Sequence, residues 1–238
     1  MSAQIIVDSA CDLPKGIIDK YNIKVLPFNL HIDDRSYKDG RDIQVNEVYE
    51  FIKKGIYPKT SQVSPVDIKD TFVEYAQKGL NCIYISFSSK MSSTCQTARI
   101  IAEKVQEKYS DTEIKVVDSK AGSIATGIMA YRAALLLEKG FETVAVLDKI
   151  RLWAEHIEHL FILDSLKALQ IGGRISKSTS IIGDVLRIKP LLYVDDGEIK
   201  LLKKFAAQKG LLICFLGILR KRVLILKINL LVLPMLMI

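Results

Sequence analysis

Cys82-Ile83-Tyr84-Ile85-Ser86-Phe87-Ser88-Ser89-Lys90-Met91-Ser92-Ser93-Thr94-Cys95-Gln96 is the stretch on which the fold turns. Cys82 to Ile85 is a continuous apolar run of strand length, as expected of a strand covered on both faces by helices. From Ser93 onward the period changes. Cys95, Ala98, Ala102, Val105 and Tyr109 recur at helical spacing, while Arg99, Glu103, Lys104 and Lys108 fill the opposite side. Such a helix packs one stripe on a sheet and leaves the rest in water. A strand, a hydroxyl-rich loop and an amphipathic helix in that order make half of a parallel βαβ unit.

The same grammar extends in both directions. Ile5 to Val7, Ile23 to Leu26 and Ile114 to Val117 are further short apolar runs, so the chain from Met1 to about Arg151 predicts a parallel α/β layer. Ala121 to Lys139 predicts a helix that is apolar nearly all round, hence central. Gly122 and Gly127 there allow close backbone approach, and Gly140 serves as a stop. Past Arg151 the alternation weakens. Leu160 to Leu163, Leu191 to Val194 and Ile199 to Leu202 predict a second, smaller sheet, with Asp195-Asp196-Gly197-Glu198 as a hairpin turn. Gly172-Gly173 breaks the chain between these strands, and Lys189-Pro190 enforces an extended entry to the next. The expected organisation is a lobe over 1–151 and a second α/β lobe over 152–238, with 205–238 an aberrant tail.

Composition sets the bounds. A chain of 238 residues can bury one large core or two modest ones. The net charge of +7 suggests nucleic acid at first sight, but from Ile199 onward there are eight Lys or Arg and no acid, which leaves 26 basic against 27 acidic groups before it. The body is therefore neutral, with no basic stripe for DNA or RNA. No signal-peptide pattern opens the sequence, which predicts a cytoplasmic protein. Cys11, Cys82, Cys95 and Cys214 lack disulfide or metal spacing and read as buried thiols. His156 and His159 are one helical turn apart, but no third ligand joins them, so no metal is expected. Leu211 to Ile238 is rich in Leu, Ile and Val, yet Arg220, Lys221, Arg222, Lys227 and Pro234 interrupt the run of about 20 apolar residues that a membrane helix needs.

Two loops carry the chemistry. In Thr60-Ser61-Gln62-Val63-Ser64-Pro65-Val66-Asp67, Ser64 is placed to cap a helix with Pro65 at its first position and Asp67 closing a capping box. Ser93 and Gln96 have the spacing for a second box. Either loop alone reads most simply as helix capping. Two of them, the second at a strand's carboxyl edge, predict a site for a small anion, because open α/β sheets bind ligands there and helix starts present free N–H groups. A carboxylate fits better than a phosphate, since neither loop has the glycines or the lysine of a phosphate cradle. No G-x-S-x-G elbow is present, and His31, His156 and His159 have no evident link to a nucleophilic serine, so hydrolysis is not expected. Asp8-Ser9 and Asp118-Ser119 read as turn and cap residues.

Several motifs in order then resemble the DegV family. Ile6-Val7-Asp8-Ser9-Ala10-Cys11-Asp12-Leu13-Pro14 is similar to its D-S-T-A-D-L-P opening, with Ala10 and Cys11 as departures. Thr60-Ser61-Gln62-Val63-Ser64 resembles T-S-Q-P-S, with Val63 departing. Ser88-Ser89-Lys90-Met91-Ser92-Ser93-Thr94-Cys95-Gln96 resembles S-S-x-L-S-G-T-Y-Q, with Ser93 in place of glycine and Cys95 in place of tyrosine. Leu166-Lys167-Ala168-Leu169-Gln170-Ile171-Gly172-Gly173-Arg174-Ile175-Ser176 resembles L-x-x-L-x-x-G-G-R-I-S, and Ile188-Lys189-Pro190 matches I-K-P.

The resemblance implies a Rossmann-like parallel-sheet lobe plus a smaller, truncated α/β lobe, with a long-chain fatty acid of the palmitate, stearate or oleate type between them. It implies a carrier and not a catalyst. Thr60 and Ser92 would hold the carboxylate with Ser61 and Ser93 beside them, and Arg174 would lie near the head group or the partner surface. The implied partner is a fatty-acid kinase subunit, with transient contact to a membrane as a further possibility. The resemblance ends near Lys204, which suggests a reading-frame shift. The competing expectations are a nucleotide-using enzyme on the first lobe, weakened by the missing G-x-G-x-x-G, and a membrane-associated lipid binder resting on the tail.

Overall fold

A computed structural model describes residues 3–163, 166–175 and 189–205. Ser176, Ile188, Cys214 and the tail from residue 206, on which several expectations fall, lie outside the described residues. The chain opens with β1 (Ala3–Asp8), α1 (Lys15–Lys20) and β2 (Lys24–Leu26), followed by β3 (Asn29–Ile32), β4 (Arg35–Lys38), α2 (Val45–Lys53) and β5 (Lys59–Ser61). Next come α3 (Pro65–Gln77), β6 (Asn81–Ser86), α4 (Thr94–Lys108), β7 (Ile114–Asp118), α5 (Ser123–Glu138) and α6 (Thr143–His156). The last described elements are β8 (Leu160–Ile162), α7 (Lys167–Ile171), β9 (Lys189–Asp195) and β10 (Glu198–Phe205).

A four-stranded parallel sheet in the order β2-β1-β6-β7 is the centre of the molecule. Strand alternation divides its side chains between two cores. Ile5, Val7, Ile83 and Ile85 face α5 and α6, where Ala125, Met129, Ala133, Val146 and Ile150 meet them. Ile6, Cys82 and Tyr84 face α3 and α4, against Ile68, Phe72, Ala98 and Ala102. The apolar runs of the inner strands β1 and β6 are continuous because both faces are covered, whereas the edge strands β2 and β7 carry Lys24 and Lys115. Helix α5 comes as close as its small residues predict, since a Cβ on Gly127 would overlap the Cys11 carbonyl oxygen and one on Gly122 would overlap the Phe87 ring. Gly140, at φ 81°, ends that helix.

The parallel reading of 1–151 needs one correction. An antiparallel sheet, β4-β3-β5, interrupts it between β2 and α3 and packs Leu30 and Ile32 against Val48 and Phe51 of α2. Thr60 and Ser61 thus end a strand, a few residues ahead of helix α3. Helix α6 passes through the expected division at 151/152. Beyond it the antiparallel sheet β10-β9-β8 forms as expected. The β9–β10 turn has positive φ at both central residues, Asp196 (44°) and Gly197 (82°), the geometry that matches the twist of a tight hairpin.

Neither expected capping box forms. Ser64 and Ser93 stand at helix starts, but their side chains do not cap. Asp67 instead receives both hydrogen bonds of Lys38 Nζ at 2.7 Å, because strand β4 brings a cation within reach. His156 and His159 do not share a helix face either, since α6 ends at His156. His156 Nδ1 lies 2.8 Å from the Leu152 carbonyl, while His159 packs on Phe161, where burial pushes its pKa down to about 4.

Candidate functional site

The loop from Phe87 to Ser93 leaves the carboxyl edge of β6 and is tied down almost residue by residue. Phe87 N donates to Asp8 Oδ2 at 2.7 Å, and Ser88 N donates to the Ala121 carbonyl at 2.9 Å. Ser89 donates from its backbone and its hydroxyl to Asp118, at the end of β7. Ser88 Oγ donates to the Gly197 carbonyl at 2.8 Å, and Arg174 Nε donates to the Met91 carbonyl at 3.0 Å, so β9–β10 and the segment after α7 both grip the loop. A second guanidinium nitrogen of Arg174 donates to the Gly172 carbonyl. Asp8 and Asp118, expected as turn and cap residues, thus anchor a distant loop; Asp118 also accepts from Lys120 N in a local turn, whereas the Asp8 side chain makes no helix cap.

Asp8 is wholly buried. Loss of water raises its carboxyl to about 7, against the lowering effect of the Phe87 hydrogen bond, and nearby Asp12 adds to the rise. Its Oδ1 has no hydrogen-bond partner. Burial likewise pushes the Cys11 thiol up to about 11, so this cysteine is an inert core group.

The two hydroxyl loops meet. Val63 N donates to Thr94 Oγ1 at 3.3 Å, and Thr94 Oγ1 lies 2.9 Å from Ser92 Oγ. Ser93 Oγ and Thr97 Oγ1 both donate to Gln62 Oε1, at 2.9 and 3.0 Å. Asn29 Nδ2 fixes the Gln62 carbonyl from β3 at 2.8 Å. Proton accounting separates the hydroxyls. Thr94 Oγ1 accepts from Val63, which suits it to donate its own proton to Ser92 Oγ; Ser92 Oγ also accepts from Thr94 N at 3.3 Å. On that assignment the Ser92 proton is free for a ligand, whereas that of Ser93 is spent on Gln62.

Thr60 and Ser61 are not brought together. Thr60 is paired opposite Leu30 and Ser61 opposite Asn29, so strand alternation turns them to opposite faces. Thr60 is exposed, with no side-chain hydrogen bond among the described residues. Ser61 Oγ lies 2.9 Å from His31 Nε2, and Ser36 Oγ 2.8 Å from His31 Nδ1. A histidine–serine link therefore exists, contrary to the reading from sequence. Both ring nitrogens of His31 engage hydroxyls, and among the described residues no carboxylate orients the ring as in a hydrolytic triad.

Between this loop and the second sheet lies a cleft of about 490 Å³, within the range of ligand sites, roughly 300–1,000 Å³. Its lining combines charged side chains, Lys90, Arg174, Lys200 and Glu198, with apolar ones, Met91, Ile175, Ile199 and Leu201. Ser92 follows Met91 directly, and neither Ser92 nor Thr60 is itself part of the cleft wall. Among the described residues no group of three or more His, Cys, Asp or Glu could hold a metal, and no helix is long and apolar enough to cross a membrane.

Fold and site together define a mixed α/β protein with a hydrogen-bonded hydroxyl loop at the carboxyl edge of a parallel sheet, beside a cleft with charged and apolar walls. The chain belongs to the DegV family, whose model, described as an uncharacterised protein family, matches residues 2–223, past the Lys204 at which the motif resemblance ends. A DegV domain-containing protein of Clostridium perfringens is 38% identical over 213 residues, covering 87% of this chain and 71% of the relative. Among solved structures, a DegV family protein from Thermus thermophilus described for its fatty-acid binding aligns with TM-score 0.82 at 27% identity, over 93% of this chain and 78% of the other. A stearic-acid-binding protein from Eubacterium ventriosum aligns with TM-score 0.84 at 26% identity, over 93% and 76%.

Proposed function

We propose that this protein is a cytoplasmic carrier of one long-chain fatty acid, held between a lobe over 1–151 and a second over 152–238, and that it is not itself a catalyst. The observation that carries this reading is the convergence of the two hydroxyl loops through Val63, Thr94 and Ser92, which leaves donors for an acid group beside a cleft. Thr60 and Ser92 supply hydroxyl protons to the carboxylate. Arg174, whose hydrogen bonds among the described residues go to carbonyls, adds a positive charge to the cleft wall. The acyl chain gains about 0.8 kcal/mol per buried methylene, whereas a buried carboxylate without donors is strongly disfavoured. The related proteins described as fatty-acid binding support the same ligand class.

Native mass spectrometry of protein purified from bacteria should reveal a co-bound acid of palmitate, stearate or oleate size. Thr60→Ala and Ser92→Ala should each weaken palmitate binding by roughly 1–3 kcal/mol without unfolding the protein. An empty protein with no affinity for palmitate or oleate refutes the reading. The carrier also presents its acid to a fatty-acid kinase subunit. Mixing loaded protein, ATP and such a subunit should yield acyl phosphate, trapped as the hydroxamate; release of the acid to the kinase before phosphorylation would oppose presentation.

A further inference from the structure

We infer that Gln62 is the residue that makes the head-group site selective for an ionised acid over a neutral ligand of the same length. The inference rests on the fatty-acid reading above. A glutamine amide has an oxygen that accepts two hydrogen bonds and a nitrogen that donates two. Here the oxygen accepts from the hydroxyls of Ser93 and Thr97, one turn apart at the start of α4, and the nitrogen is the end turned away from them. The nitrogen is left without a partner among the described residues, yet it is not sealed in, since it is absent from the buried polar atoms that lack one. The Asn29 side chain clamps the Gln62 carbonyl, so the backbone that carries the amide is held as well.

Position makes the free N–H groups useful. Ser93 Oγ, 2.9 Å from the amide oxygen, belongs to the residue next to Ser92, and Val63, next to Gln62, reaches Ser92 through Thr94. The amide is therefore tied to the residue beside Ser92 through Ser93, and its own backbone neighbour Val63 is tied to Ser92 through Thr94. A carboxylate only accepts hydrogen bonds, so it gains from each donor that an alcohol or ester uses less well. Gln62 contributes donors with no charge of its own. Glutamate in its place would accept the same two hydroxyl bonds but would turn a negative charge on the bound acid.

That difference separates recognition from scaffolding. Gln62→Glu keeps both bonds to α4 and puts a negative charge over the first turn of that helix, where the helix dipole favours it. The fold should thus be at least as stable as wild type by thermal denaturation. Binding is read by displacement of a fluorescent fatty acid with palmitate and with hexadecanol, on the full chain. Gln62→Glu should weaken palmitate by at least about tenfold and hexadecanol by less than about threefold, as expected when a bond to a charged group is lost and a like charge introduced. Gln62→Met, which keeps the length without donors or charge, should shift the same ratio in the same direction by less. Equal weakening of both ligands, or of neither, would overturn the assignment of selectivity to Gln62. Failure of the wild-type protein to bind palmitate would instead strike at the fatty-acid reading itself.

Discussion

Replacing Asp8 by asparagine isolates the electrostatic cost of one buried acid. The Asp8 carboxyl is fully enclosed, accepts one hydrogen bond from Phe87 N and leaves Oδ1 without a partner. Burial raises it from 3.8 to about 7, so the folded chain binds this proton more tightly than the unfolded chain. The sign follows from linkage. Below about pH 4 the group is protonated in both states and costs nothing. As pH rises from 4 to 7 the unfolded state releases its proton while the folded state keeps it, and stability falls; above 7 the loss is complete. A shift of this size corresponds to at most about 4 kcal/mol, and relaxation around the charge reduces it, so a difference of about 1–4 kcal/mol is expected. The side chain introduced by Asp8→Asn retains an acceptor for Phe87 N and cannot ionise. Part of that loss has already occurred at pH 5, so urea denaturation at pH 5 and pH 8 should show the variant gaining on wild type by about 1–2.5 kcal/mol between the two pH values. Parallel pH dependence in the two proteins would show that Asp8 is not a buried, proton-holding group.

Other changes test packing and the contact between the second sheet and the loop. Gly127→Ala should destabilise the protein by about 2–3 kcal/mol in urea denaturation, because its Cβ would overlap the Cys11 carbonyl and press on Leu13. Gly197→Ala combines a φ of 82° with overlap on Ser88 Oγ, so it should loosen the β9–β10 turn and weaken palmitate binding, read by fluorescence displacement. Lys38→Met leaves the half-buried Asp67 without its cation and should cost about 1 kcal/mol of stability in urea denaturation at pH 7.

The central sheet was legible because its inner strands are apolar runs and the helices beside it are either amphipathic, as α4 is, or apolar nearly all round, as α5 is. The β3–β4–β5 insertion was harder to see. Its strands are only three or four residues long and its buried face holds few apolar side chains, Leu30 and Ile32 among them. A local signal did exist. Leu30 and Ile32 alternate with polar neighbours ahead of Asp33-Asp34, and Asp33 takes the positive φ of a tight turn at 51°. The failure of both capping boxes has a different origin. Ser93 and Asp67 have the right spacing, but partners 31 and 29 residues away offer better hydrogen bonds than the local backbone does.

Site residues divide along the same line between local and distant causes. Ser92 and Ser93 could be found because a hydroxyl-rich loop at a strand's carboxyl edge is a local pattern, but which of them keeps a free proton depends on Gln62 and Thr94. Gln62 lies within the Thr60-Ser61-Gln62 motif, but its role is not legible there, since it comes from contacts 31 and 35 residues away along the chain. Thr60 and Ser61 look equivalent in sequence and are separated only by the pairing of β5 with β3, which sends one toward the Leu30 face and the other to His31. Arg174 reaches Met91 across 83 residues, a contact that only the docking of the second sheet creates. Residue types at a loop thus identify the chemistry on offer, while donor and acceptor direction is decided by tertiary partners. Substitutions at those partners, Gln62 above all, should therefore change ligand selectivity without touching any hydroxyl that meets the acid.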